Sequence, residues 1–157
     1  MNLSNPIYTD ADAAREHLEA LLWPNGPICP HCGVVGNAAA LNGKSTRPGV
    51  YKCRDCRQPF SVTVGTVFER SKIPLNKWLM ATHLLVSSKK AISSHQIHRM
   101  LGVTYKTAWF MTHRIREALA EFDFRYNNRA KLEINDAQRA DIALKGIEGK
   151  RLTYAAS

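Results

Sequence analysis

The sequence predicts a small α+β fold in which metal-clipped β-hairpins are followed by a helical segment and a helical C-terminal tail. Three observations predict it. The four cysteines fall in two tight pairs, Cys29-Pro30-His31-Cys32 and Cys53-Arg54-Asp55-Cys56. β-Branched and aromatic residues cluster around the second pair, as in a hairpin. From Pro74 the apolar residues switch to a helical period.

In chain order, residues 1–27 form an N-terminal helix and lead-in. Residues 10–22 read as amphipathic, with Thr9 or Asp10 as cap and Ala14, Leu18, Leu21 and Leu22 on one face. Trp23-Pro24-Asn25-Gly26-Pro27 ends this helix, which is expected to pack against the cysteine module. Residues 28–70 form that module. Gly33, Gly36, Gly43 and Gly49 imply turns, and Gly49–Cys53 and Gln58–Val64 imply strands.

Two ligands three apart on a tight knuckle, facing a second such pair, give the tetrahedral four-sulfur arrangement preferred by structural Zn²⁺. Gly33 follows the first pair, where a knuckle often needs positive φ, whereas Arg57 follows the second and makes it less ideal. A disulfide framework needs an oxidising compartment, and residues 1–27 begin polar and carry four acids. A redox pair would leave the other two cysteines unexplained. Cys29, Cys32, Cys53 and Cys56 are therefore the expected ligands of a structural zinc. Four thiolates leave no position for a substrate water. A module this small and polar has little core of its own, and structural zinc contributes roughly 10–16 kcal/mol in small peptides.

Residues 71–120 read as three helices. Leu75, Trp78, Leu79, Thr82, Leu85 and Val86 share a face, with Pro74 at the start. Ser93 with Gln96 is a capping-box pattern, and Ile97, Met100 and Leu101 are the expected inward residues of a helix ending near Leu101. Gly102-Val103-Thr104 turns the chain into a longer helix, Tyr105 to about Ala120. A short helix, a glycine turn and a longer helix make a helix-turn-helix pattern. On the longer helix Ala108, Met111, Thr112, Ile115 and Leu119 face inward. Lys106, His113 and Arg114 face outward, with Trp109 and Arg116 on the flanks; Phe110 also points outward and fits neither a DNA face nor a solvated one unless it meets another element. Residues 121–157 form the tail, with a helix capped by Asn135 or Asp136 that is expected to be loosely docked or disordered.

The net charge of +9 is uneven: residues 1–27 carry −3, residues 28–119 carry +11 and the rest +1. A one-sided basic centre marks attraction to phosphate. Lys52, Arg54 and Arg57 on the ribbon are expected to meet phosphates. Tyr105, Lys106, Thr107, Trp109, His113, Arg114 and Arg116 are expected to approach duplex DNA. His95 and His98 lack a third ligand, and His31 reads as a solvent-facing spacer. His17 and His83 carry no signal. No apolar run approaches the ~20 residues that span a bilayer, so a membrane role is not expected. The expected place is the cytoplasm, in association with the nucleoid.

Cys29-Pro-His-Cys32-Gly33, Tyr51-Lys-Cys-Arg-Asp-Cys56, Phe60-Ser-Val-Thr-Val-Gly-Thr-Val-Phe68, Ile73-Pro-Leu-Asn-Lys-Trp78 and Gly102–Arg116 occur in one order. Together they resemble the N-terminal region of bacterial insertion-sequence transposases of the ISXO type, over roughly residues 10–119. The resemblance implies a zinc ribbon and helix-turn-helix that bind element terminal inverted repeats ahead of an RNase H-like, DDE-type catalytic domain. Glu121-Phe-Asp-Phe-Arg-Tyr-Asn-Asn-Arg129 resembles the far end of that domain. The strand-rich segment carrying the first catalytic aspartates is absent between Ala120 and Glu121. The resemblance puts Glu121, Asp123 or Asn127 near the third catalytic position, and one remaining ligand cannot build a two-metal site. The resemblance thus implies an internally deleted, non-catalytic transposase relative, with no catalytic residues assigned. An intact related transposase is a further expected partner. The alternatives are an active transposase or nuclease, or a decaying remnant without a selected role.

Overall fold

The computed structural model describes residues 3–88, 91–120 and 135–146. Among them lie six helices: α1 (Pro6–Thr9), α2 (Ala11–Leu22), α3 (Leu75–Ser87), α4 (Ser94–Leu101), α5 (Tyr105–Ala120) and α6 (Asp136–Gly146). Three short strands, β1 (Ala38–Ala40), β2 (Tyr51–Cys53) and β3 (Pro59–Phe60), form one antiparallel sheet in the order β1-β2-β3. The fold is small α+β. No helix among the described residues is long and apolar enough to cross a membrane.

α2 begins where Asp10 accepts a hydrogen bond from the Asp12 N–H, and it buries Ala14, Leu18 and Leu22. Leu21 is only half-buried. The preceding α1, capped by Asn5 with Pro6 at its start, has no counterpart in the sequence reading because one turn has no period to detect. α2 packs on α1 and α3 alike and more lightly on α6. It meets the ribbon along one edge, where Glu19 accepts from the Tyr51 hydroxyl at 3.3 Å and pairs with Arg15 at 3.0 Å.

The sheet pairs Ala38 with Cys53, Lys52 with Ala39, and Tyr51 with both Ala40 and Phe60. β1 lies between Gly36 and Gly43, where the glycines imply turns. The strand expected over 58–64 stops at Phe60. Residues 61–70 instead fold through turns that drive Val62, Val67 and Phe68 into the helical core.

α3 is the central element, with α1, α2, α4, α5 and α6 all packed on it. This is why its burial exceeds the one face expected: Ala81, His83 and Leu84 are buried as well as Trp78, Leu79, Thr82 and Leu85. Pro74 is the residue before the helix rather than its first residue. Trp78 has no exposed surface and donates its indole N–H to the Ser71 hydroxyl at 2.9 Å. Buried His83 has its Nδ1 3.0 Å from the Tyr8 hydroxyl.

α4 has the expected capping box between Ser93 and Gln96, and Gly102 ends it at φ 64, a left-handed stop that glycine takes without strain. Ile97 and Leu101 are buried, but Met100 is 46% exposed, a correction to its inward placement. Thr104 caps α5 by accepting the Thr107 N–H. Ala108, Met111, Thr112, Ile115 and Ala118 face the core, while Leu119 is only partly buried. Phe110 meets another element, as its position demands: its ring centre lies 6.4 Å from that of Trp78 on α3.

α6 is also corrected. Asn135 and Gln138 cap it reciprocally, and Ala140, Ala143 and Leu144 are buried against the helical core rather than loosely docked. His17 of α2 approaches Asp141 of α6 at 2.9 Å. Glu121, Asp123 and Asn127 lie outside the described residues.

Candidate metal centre and nucleic-acid interface

Each cysteine pair sits on a knuckle held by backbone hydrogen bonds. In the first, the Cys29 N–H donates to the Val34 carbonyl and the Gly33 N–H to the Cys29 carbonyl, with Ile28 bridging Val35. Gly33 takes φ 77 there, as its position anticipates. In the second, the Cys53 N–H donates to the Gln58 carbonyl and the β2–β3 pairing closes the hairpin. Arg57 occupies the equivalent left-handed position at φ 60, which an L side chain adopts at a cost of roughly 1–2 kcal/mol. A hydrogen bond from the Asn37 amide to Asp55, 2.9 Å, ties this knuckle to β1.

These knuckles bring all four sulfurs within 4.8 Å of one another. Cys29 and Cys56 are 3.5 Å apart and Cys32 and Cys53 are 3.6 Å apart. A tetrahedron of Zn–S bonds near 2.3 Å places its sulfurs about 3.8 Å apart, so the donor set fits a structural zinc ion. Cys29 and Cys53 are buried, Cys56 is half-buried and Cys32 is exposed. N–H groups of the second knuckle, that of Cys56 foremost, pull the Cys53 thiol down to about 7. Against the lowering by the Gln58 N–H, burial and the sulfurs of Cys29, Cys53 and Cys32 push Cys56 up to about 12. Four sulfurs this close cannot all ionise without a cation among them. Zinc supplies the charge that lets every ligand act as a thiolate.

Beneath the cluster, Trp23, Tyr51 and Phe60 pack edge-on and stacked, with ring centres 5.5–6.0 Å apart. Trp23 belongs to the linker after α2, so the metal module rests on an aromatic floor anchored to the first helix. His31 is exposed, with Nε2 3.4 Å from the Pro59 carbonyl, as a spacer would be.

The residues nominated for DNA divide into free and committed groups. Lys52, Arg54 and Arg57 are all exposed on the β2–β3 hairpin. On α5, Lys106 and His113 are exposed, Tyr105 is 44% exposed and Trp109 48%. The Trp109 and His113 rings lie 4.1 Å apart, and Tyr105 stacks at 4.3 Å on His95 of α4, a neighbour the sequence reading did not include. Thr107 is half-buried and held by the Thr104 cap. Arg114 is half-buried with its guanidinium carbon 5.1 Å over the Phe110 ring, and its Nε is buried without a hydrogen-bond partner. Arg116 donates to the Ile92 carbonyl and so fastens the lead into α4. His98 is likewise engaged, with the Val103 carbonyl. No hydrogen bond or ion pair among the described residues links the hairpin cations to those of α5.

Residues 9–59 match the family model described as the transposase zinc-ribbon domain. The match takes in α2 and both knuckles, in keeping with the contacts between them. The chain is also similar to an uncharacterized protein in transposable element ISH50 of Halobacterium salinarum, 31% identical over 106 residues. That alignment covers 68% of this chain and 35% of the relative, so the chain spans about a third of the length of the curated relative it matches. No solved structure matches. Residues 9–59, about a third of the chain, thus match a zinc ribbon of the kind found in transposases, with its four cysteines placed to hold a metal ion.

Proposed function

We propose that this chain is a zinc-dependent DNA-binding protein of transposase origin that holds the ends of a related insertion element without cutting them. The observation that carries the reading is the four-sulfur cluster inside a segment matching the transposase zinc-ribbon domain. Two features support it. The middle of the chain, residues 28–119, holds fourteen Lys or Arg against three acids. The α4–Gly102–α5 unit leaves Tyr105, Lys106, Trp109 and His113 open to solvent, as a recognition helix requires. The ligand in this reading is duplex DNA carrying terminal inverted repeats, and the source family is the ISXO type. In this reading Ala120 runs directly into Glu121 where the related transposases carry the acid-bearing strands of an RNase H-like core, so the bound ends stay intact and an active transposase is denied access.

Fluorescence anisotropy with end-containing and scrambled duplexes at two salt concentrations tests the binding. The expected result is preference for the ends, with a log–log salt slope near −4 to −5 for ~5 phosphate contacts. Equal affinity for both duplexes, or a flat salt response, removes the reading. Incubation with Mg²⁺ or Mn²⁺ is expected to leave the end duplex uncut, and specific nicking would favour an active enzyme.

A further inference from the structure

The fold opens a cleft of about 730 Å³ between the ribbon and the helical core, and none of the residues nominated for DNA lines it. Its walls come from the first turns of α2, the loop at 47–49, and the 61–75 segment that joins ribbon to α3. Six charged side chains border it: Asp12, Arg15, Arg47, Glu69, Arg70 and Lys72. The acids and one cation are already engaged. Arg15 pairs with Glu19 at 3.0 Å and approaches Asp12 at 3.8 Å, while Glu69 accepts the Gly65 N–H at 3.1 Å. Arg47, Arg70 and Lys72 are exposed and have no ion-pair partner among the described residues. The cleft floor is apolar, with Phe68 and Ile73 contributing.

We infer that this cleft is a phosphate site, taking the sugar-phosphate backbone of the DNA held by the ribbon and α5. Cations from two segments more than twenty residues apart border one concave surface, where four cations in all, Arg15 included, outnumber the two acids Asp12 and Glu69. The excess of positive charge around the cleft favours an anion, and a phosphodiester supplies one while its deoxyribose covers the apolar floor. The inference rests on the DNA-binding reading for its ligand source. A free phosphate or mononucleotide shares the chemistry and is separated from it by experiment.

The test uses the zinc-loaded full chain and the variant Arg47→Gln/Arg70→Gln/Lys72→Gln, with matched zinc content and circular dichroism. The expected result is equal weakening on end-containing and scrambled duplex, with the salt slope shallower by about 2–3. The charge-preserving variant Arg47→Lys/Arg70→Lys/Lys72→Arg should retain the wild-type slope. If the triple glutamine variant does not fold, Arg47→Gln and Lys72→Gln singly should each reduce the slope by about 1. Wild-type protein that binds duplex with a slope unchanged by these substitutions overturns the phosphate site and leaves the DNA reading standing. Should wild type bind no duplex at all, the DNA reading fails, and titration with inorganic phosphate decides the cleft. Chemical-shift changes around the cleft that vanish in the triple variant then support a free-phosphate site, and no response overturns it.

Discussion

The ribbon and the helical core solve the stability problem in opposite ways. The ribbon's buried cluster is Cys29, Cys53 and Phe60, with Trp23, Ala38, Tyr51 and Cys56 partly covered around it. Two of those three buried residues are metal ligands, so without metal the module has almost no interior. The helical core gathers nineteen buried residues among those described, centred on Trp78 and α3. Apolar burial supports it directly, at roughly 25 cal/mol per Å². One chain therefore contains a unit whose folding is metal binding and a unit whose folding is ordinary burial. The 61–70 segment connects them yet belongs by packing to the second.

The largest test of this contrast is loss of the metal. Chelation, or Cys53→Ser, should unfold the ribbon, removing a contribution on the order of 10 kcal/mol to that unit. The helical signal in circular dichroism should mostly persist. Collapse of α3–α5 along with the ribbon would mean that the two regions form one cooperative unit. The converse test is Trp78→Ala, expected to cost about 3–5 kcal/mol in urea denaturation of the helices while zinc content stays at one per chain.

A smaller effect is expected at the seam. Gly49 lies at φ 84, and a Cβ there would overlap the Arg15 side chain that pairs with Glu19 and, through it, reaches Tyr51. Gly49→Ala should lower stability by about 1–2 kcal/mol and weaken ribbon-to-α2 protection in hydrogen exchange. The smallest effect is expected from pH. Burial pushes His83 below the ordinary histidine value, with Asp136 and Asp141 partly opposing the shift. The folded state then favours neutral imidazole. Its stabilisation is complete above about pH 6.5 and fades as pH falls toward the lowered folded value. Thermal melts of wild type and His83→Gln between pH 7.5 and 5.5 should converge as the pH drops. Parallel curves would contradict this.

The two regions also differed in how much the sequence disclosed. Four cysteines at fixed spacing announce a metal site because tetrahedral geometry restricts what such spacing can mean, and the cluster forms as expected. Capping chemistry is equally local, so Asp10, the Ser93–Gln96 box and Gly102 all act at the places their residue types imply. The core was less legible because burial depends on neighbours distant in sequence. His83 carried no signal, since its partner Tyr8 sits on a one-turn helix seventy-five residues away. Met100 was misassigned, and the partner of Phe110 went unnamed, for the same reason: helical period gives an angle, but not which neighbour occupies it. The nominated cations divided similarly. Arg116 and Arg114 have the charge of DNA-contacting residues, but a backbone carbonyl and an aromatic ring hold them. Arg47, Arg70 and Lys72 attracted no notice until folding gathered them around one cleft.

α6 gives the chain a dependence that its charged, unremarkable sequence conceals. By laying Ala140, Ala143 and Leu144 over the central helix, it shields from water a side of α3 that no other described element matches in extent. A fragment ending at Ala120 would retain every nominated DNA contact and all four sulfurs, yet it would expose that seat to solvent. Such a fragment should be prone to self-association, and its handling in solution would mislead anyone judging the DNA-facing half alone.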